Sequence, residues 1–282
     1  MADPLCRPGS CHEPGNARWC GQFVLENHQR RGKSFEFQGL RKSFNGVEVL
    51  RGIEFTARDA EITGLIGPNG AGKTTTLRLL YTVLKPDGGR ALVDGHDTVT
   101  DRLAVQRRIG VLPDNRGLYP RLTAREHVRY FGRLHGLGGD ELEGRIDRLM
   151  ARLDMADFAD RRSKGYSKGQ TLKVALARAL VHEPANVMLD EPTNGLDIAS
   201  SRAVRTLIRE IRDQGRCVLF CSHIMSKVEA LCDRIIVLSD GLIVADGAPE
   251  ELRQATGQGD LEEVFLAAVT QGVPSDTGGD RA

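Results

Sequence analysis

Gly67-Pro68-Asn69-Gly70-Ala71-Gly72-Lys73-Thr74-Thr75 spells G-x-x-x-x-G-K-T directly after the apolar run Ile62-Thr63-Gly64-Leu65-Ile66. The run reads as a short buried strand, and Thr74 to Leu80 reads as the helix that follows. Strand, glycine-rich loop and helix in that order form the context in which such a loop binds phosphate. Gly67, Gly70 and Gly72 let the backbone curl so that consecutive N–H groups converge on one anion. The helix N-terminus adds partial positive charge at the same spot. Lys73 supplies a point charge for β- and γ-phosphates, and the Thr74 hydroxyl suits Mg2+. The whole loop, with Pro68, Asn69, Ala71 and Thr75 between these residues, is the candidate binding segment. An accidental glycine-rich turn would not bring lysine, hydroxyl and both flanking elements together, so the stretch implies a nucleoside triphosphate site.

The chain has 282 residues, enough for one large α/β domain with a smaller appendage or for two modest domains. With 40% hydrophobic and 27% charged residues it has an ordinary globular composition. A formal charge of +1 gives no global pull toward nucleic acid, and none is expected as a partner. No run of about eighteen apolar residues offers a membrane span. Met1 to Lys33 is polar, rich in Gly, Pro and Arg, and lacks the apolar centre of a signal peptide, which points to the cytoplasm. Of the six cysteines, Cys217, Cys221 and Cys232 lie in apolar segments and read as small buried hydrophobes in a reducing compartment. Cys6, Cys11, His12 and Cys20 fall in the irregular N-terminal stretch, where their spacing matches no standard zinc pattern.

Residues 1–33 read as a disordered extension and 271–282 as a flexible tail. Order is expected from Ser34. Phe35 to Leu40 alternates like a strand, Phe44-Asn45-Gly46-Val47 reads as a hairpin turn, and Val49 to Phe55 as a second strand. Leu84 to Gly89 is a turn and Arg90 to Asp94 a short strand. From Thr123 to Asp160 the pattern turns helical. Thr123-Ala124-Arg125-Glu126 is a capping box followed by Val128, Phe131 and Leu134 at helical spacing, and Leu142, Ile146, Leu149 and Leu153 repeat that spacing. Strand-like runs return at Val187–Leu189, Cys217–Phe220 and Ile235–Leu238. A mainly parallel sheet flanked by helices and interrupted by a helical insertion accounts for this order.

Val187-Met188-Leu189-Asp190-Glu191 is an apolar strand ending in two carboxylates. Strand C-terminal ends line the ligand crevice of an α/β sheet. Asp190 is therefore suited to hold Mg2+, and Glu191 to polarise an attacking water as general base. Tyr166-Ser167-Lys168-Gly169-Gln170 has capping-box spacing at Ser167 and Gln170 and opens the strongly helical run Leu172 to Val181. The Ser167 hydroxyl, the Gly169 amide and the helix N-terminus form a second anion site. One triphosphate does not need two such sites in one subunit. The arrangement makes sense if this helix faces the nucleotide of another copy.

The phosphate loop, Tyr166–Gln170, the strand ending at Asp190-Glu191, Asn194-Gly195-Leu196-Asp197 and Ser222-His223 occur in an order that resembles ABC transporter ATP-binding subunits across about residues 34–270. The resemblance implies an α/β fold: a P-loop NTPase core with a mainly parallel sheet, an antiparallel β subdomain, and a helical subdomain over about 115–165. It further implies an ATPase in which two subunits sandwich two ATP molecules head to tail and drive a separate integral membrane permease. By the same resemblance Phe44 stacks on adenine, Gly195-Leu196-Asp197 crosses the dimer interface, and His223 contacts the γ-phosphate. The chain departs from the family at two places. Lys168 replaces the first of the signature's paired glycines and Tyr166 its leucine. Asp114, in Ile109-Gly110-Val111-Leu112-Pro113-Asp114, stands where the family generally has a glutamine linking Mg2+ to the helical subdomain; it is shorter and only accepts hydrogen bonds, and is a candidate Mg2+ ligand.

Arg116 to Thr123, Ser222 to Asp233 and Leu261 to Phe265 are similar to exporters of the ABC-2 class, above all to sodium-efflux (Nat-type) ATP-binding subunits. The alternative is a soluble ABC ATPase acting on ribosomes or DNA. It is disfavoured by the neutral charge and by the lack of a second nucleotide domain or long coiled coil. A P-loop kinase or GTPase would leave Tyr166–Gln170 and His223 without a role.

Overall fold

The computed structural model describes residues 33–114, 117–194 and 196–271. The short apolar runs expected as strands form the central layer. Strands β3 (Ile62–Ile66), β6 (Ile109–Leu112), β7 (Asn186–Asp190), β8 (Cys217–Cys221), β9 (Arg234–Ser239) and β10 (Leu242–Gly247) make one sheet in the order β10-β9-β3-β8-β7-β6. Pairings from β9 through β6 are parallel, and only the edge strand β10 runs antiparallel to its neighbour. β3 and β8 are buried along their whole length, because a parallel sheet is covered on both faces.

Successive side chains of these strands serve different layers, as the two-residue strand period requires. Ile62, Ile66, Val187, Leu189, Val218, Phe220, Ile235 and Val237 join one apolar cluster. Leu65, Met188, Leu219, Cys221, Ile236 and Leu238 join the other. The first cluster is closed by helices α3 (Ala124–Leu134), α4 (Gly139–Arg152), α5 (Lys168–Leu180) and α6 (Ile198–Asp213). The second is closed by α1 (Lys73–Leu80) and by a smaller antiparallel sheet.

That smaller sheet contains β1 (Lys33–Phe44), β2 (Val47–Arg58), β4 (Gly88–Val93) and β5 (His96–Asp97) in the order β2-β1-β4-β5. Phe44 pairs with Val47 across Asn45 and Gly46, both with positive φ, which is the hairpin that an Asn-Gly pair favours. Both strands run further than the apolar alternation suggests, since pairing continues into Arg41, Lys42 and Arg51 on an exposed edge. Helix α2 (Arg102–Arg108) leads from this sheet into β6.

In the helical insertion Thr123 and Glu126 form the expected capping box, and Val128, Leu142, Ile146 and Met150 are buried. Leu134 differs from its stripe mates: it is 64% exposed, because α3 ends there and His135 packs instead, stacking on His182. Short helices α7 (Met225–Glu229), α8 (Pro249–Thr256) and α9 (Leu261–Gln271) complete the described chain. Cys217, Cys221 and Cys232 are free and buried, and burial pushes each thiol well above its ordinary pKa. Cys6, Cys11, His12 and Cys20 lie outside the described residues. No helix among the described residues is long and apolar enough to cross a membrane.

Candidate active site at the strand ends

Strand register brings the separate motifs to one edge. Leu65 and Asp190 both pair with Cys221, so the loop after β3, the carboxylates after β7 and Ser222-His223 after β8 emerge side by side. Leu112 pairs with Leu189, which brings the segment carrying Asp114 out beside Asp190.

The phosphate loop is built by close approach. A Cβ on Gly67 would lie 2.1 Å from the Leu238 carbonyl oxygen, and one on Gly72 would lie 2.6 Å from Leu50 Cδ2. Gly72 caps α1 at φ 110, a left-handed conformation, and has no side chain to bond the first-turn N–H groups. Lys73 Nζ donates to the carbonyls of Gly67 at 2.6 Å and Pro68 at 2.9 Å. Burial lowers the Lys73 pKa, against the raising influence of Glu191 and Asp190. Thr76 is buried and closes the first turn on the Gly72 carbonyl, while Thr74 is exposed. Because β2 passes Gly72 at Leu50 and Val49, the hairpin that carries Phe44, 41% exposed, stands at the same end of the fold. Lys42 Nζ sits 5.4 Å from the Phe44 ring centroid.

Glu191 has a φ of 48°, a costly conformation for a residue with a side chain, and its N–H donates to the Cys221 carbonyl at 3.0 Å. Its carboxylate accepts from Ser222 Oγ at 3.1 Å and from the His223 N–H at 2.8 Å, and lies 2.5 Å from His223 Nδ1. The strained turn thus aims Glu191 at the histidine, which is itself 54% exposed. Asp190 is pushed up to about 6, first by burial and then by the charges of Asp114 and Glu191, with Lys73 and Arg78 opposing. A carboxyl raised by neighbouring negative charge accepts a cation readily. The Thr74 hydroxyl with the Asp190 and Asp114 carboxylates is a hard, all-oxygen donor set that fits Mg2+. Among the described residues no ready-made group of three acidic, His or Cys ligands exists.

Ser167 caps α5, its hydroxyl accepting from the Gln170 N–H at 3.1 Å while Gln170 Oε1 accepts from the Ser167 N–H at 3.1 Å. Among the described residues a Cβ on Gly169 would touch only Leu196 at 3.7 Å and Ser167 Oγ at 3.8 Å. Asp197 caps α6 through the Ser200 N–H at 2.9 Å; Gly195 lies outside the described residues. Among the described residues no hydrogen bond or ion pair links residues 166–170 to residues 67–75 of the same chain. Sequence reading missed Arg161, which donates to Gln170 Oε1 at 3.0 Å, and Arg78, which tempers Asp190. Neither contact leaves a trace in local pattern, since each depends on how a loop or helix folds back.

A glycine-rich loop between a buried strand and a helix, with two carboxylates ending a strand of the same sheet, defines a P-loop nucleoside triphosphatase. Residues 50–194 match the ABC transporter family, and the chain belongs to it. It is 43% identical over 241 residues to the ABC transporter ATP-binding protein NatA of Bacillus subtilis (strain 168), covering 85% of this chain and 97% of that protein. It is 38% identical to the daunorubicin resistance ATP-binding protein DrrA3 of Streptomyces coeruleorubidus, over 83% of this chain and 73% of that one. It is 34% identical to the Nod factor export ATP-binding protein I of Burkholderia lata, over 82% and 76%. A solved ATP-binding subunit of an ABC transporter has the same fold, with a TM-score of 0.78, 28% identity, and coverage of 83% of this chain and 99% of that one. The chain is an ATPase subunit of an ABC transporter.

Proposed function

We propose that this chain is the energy-coupling subunit of an exporter, in which two copies close around two ATP molecules and drive a separate membrane permease. The observation that carries the pairing is the donor face at Ser167, Gly169 and Gln170. It is capped, and among the described residues no hydrogen bond or ion pair joins it to the phosphate loop of its own chain. The nucleotide held by a second copy would bring phosphate oxygens to such a donor face.

Within one site, Lys73 and the loop amides bind the β- and γ-phosphates, and Phe44 stacks on the adenine. Thr74, Asp190 and Asp114 would hold Mg2+, which when bound would neutralise charge on the phosphate oxygens. Glu191 takes a proton from the attacking water as general base, oriented by His223 and Ser222, and His223 turns its exposed imidazole toward the γ-phosphate. Ser167, Gly169 and Gln170 of the other copy donate to that phosphate. Residues 34–270 make up the ATP-binding domain, with the helical stretch 115–160 docking the permease and holding the subunit on the cytoplasmic face of the membrane. Export as the direction agrees with the printed name of the Nod factor export relative. Sodium as cargo rests on the Nat-type likeness of residues 116–123, 222–233 and 261–265.

Trapping tests the reading. Glu191→Gln is expected to bind ATP, hydrolyse it poorly and accumulate as a dimer; full turnover would remove Glu191 as the base. Sodium flux into vesicles that hold the chain with its permease tests the cargo, and ATP-driven turnover with no sodium movement would exclude it.

A further inference from the structure

Tyr166 and Arg161 form a unit that ends on the signature glutamine. The Tyr166 hydroxyl reaches the carbonyls of Phe158 at 2.9 Å and Arg161 at 2.6 Å, and the ring packs edge-on against Phe158. The Arg161 guanidinium carbon lies over the same ring, 5.3 Å from its centroid. Tyrosine therefore grips residue 161 twice, by its backbone and by its side chain. A leucine, which the family usually has here, could do neither. Held in this way, Arg161 Nη2 donates to Gln170 Oε1 at 3.0 Å.

The consequence lies in which way the Gln170 amide points. Its oxygen already accepts from the Ser167 N–H, and Arg161 supplies a second donor to the same oxygen. Two donors on Oε1 fix the amide with its NH2 group turned away from them, because a flipped amide would set NH2 against N–H and guanidinium. Ser167 Oγ likewise accepts from the Gln170 N–H, which leaves its own proton free to point outward. Lys168 adds an ammonium at the first residue of α5. The end of α5 thus presents donors alone: a hydroxyl, an amide NH2 and an ammonium, with a guanidinium behind them.

We propose that Arg161, seated on Tyr166, is a positioning residue that locks Gln170 in its donor orientation toward the γ-phosphate bound by a second copy of this chain. The proposal rests on the two-copy reading above. It links two features that looked independent: Tyr166 in place of leucine serves to hold Arg161, and Arg161 with Lys168 compensates in charge for a signature that lacks one glycine.

The test uses the full chain with Mg-ATP as the probe. In the Glu191→Gln background, adding Arg161→Ala is expected to leave ATP affinity of the monomer unchanged. The ATP concentration for half-maximal dimer should rise about tenfold, as loss of one charge-assisted contact per site allows. Arg161→Lys should recover part of that loss, and Tyr166→Leu should reproduce it. A merely structural role is separated by mixing chains that keep Glu191: an Arg161→Ala chain and a Lys73→Ala chain, each weak alone, should together restore one intact site and measurable turnover. Equal dimerisation with and without Arg161, or a matching loss of monomer affinity, or no recovery on mixing, would overturn the positioning role. If Glu191→Gln with Arg161 intact stays monomeric in Mg-ATP, the two-copy reading itself falls, and this proposal with it.

Discussion

The His223 imidazole and the Glu191 carboxylate, 32 positions apart in sequence, meet at 2.5 Å through Nδ1 and Oε1. The contact ties the ends of two neighbouring strands, and it leaves Nε2 as the remaining ring nitrogen of a half-exposed histidine. His223→Ala removes the orienting partner and is expected to lower kcat by about a hundredfold or more while ATP still binds. Single-turnover hydrolysis with equilibrium ATP binding separates the two effects; a proportional loss of affinity would contradict the assignment.

Asp190 carries a stability cost with a defined pH window. Its carboxyl is pushed from 3.8 to about 6 in the fold, so the native state holds the proton longer than the unfolded chain. Stability from this group is therefore full below about pH 4 and lost as pH rises through about 6. Asp190→Asn should stabilise the nucleotide-free protein by about 1–2 kcal/mol at pH 8, after discounting for solvent screening, and by nothing near pH 4. The same variant should lose ATP turnover. Urea titrations at the two pH values check the first expectation.

His182 has the opposite sign. Burial, aided by the neighbouring His135, lowers it from 6.5 to about 4, so the unfolded chain takes up its proton first. Stability from His182 is present above pH 6.5 and falls as pH drops toward 4, by about 2–3 kcal/mol in all. Asp190 gains over much of the same interval and hides the slope. The Asp190→Asn chain should uncover it, with stability falling steadily between pH 6.5 and 4. A flat profile in that variant would rule out His182 as the titrating group.

Two glycines of the phosphate loop should respond differently to one methyl group. At Gly67 a Cβ would meet the Leu238 carbonyl at 2.1 Å, whereas at Gly70 nothing among the described residues lies within 4 Å and the strain is that of the positive φ. Gly67→Ala is expected to cost about 2–4 kcal/mol and most ATP binding, and Gly70→Ala about 1–2 kcal/mol. Thermal melts and nucleotide titrations of the two variants would rank them.

Features carried by neighbours in sequence are legible in the sequence itself. The phosphate loop, the Thr123 and Ser167 capping boxes, the Asn45-Gly46 turn and the strand leading to Asp190 all depend on a few adjacent residues. The site's wiring is not. Glu191 finds His223 only because Asp190 pairs with Cys221, and Arg161 finds Gln170 only because Tyr166 folds the preceding loop back on itself. Leu134 shows the limit of periodicity: its spacing fits a buried stripe, but the helix ends before the core reaches it.

The hold that Lys73 keeps on the Gly67 and Pro68 carbonyls gives the loop an internal occupant. Nucleotide entry is then an exchange, in which phosphate oxygens displace two carbonyl dipoles from the ammonium. Affinity measures the difference between the two sets of bonds, so a ligand must carry enough negative charge to win the competition. A nucleoside without phosphates has nothing to offer the Lys73 ammonium in that exchange, so recognition at this position selects for polyphosphates.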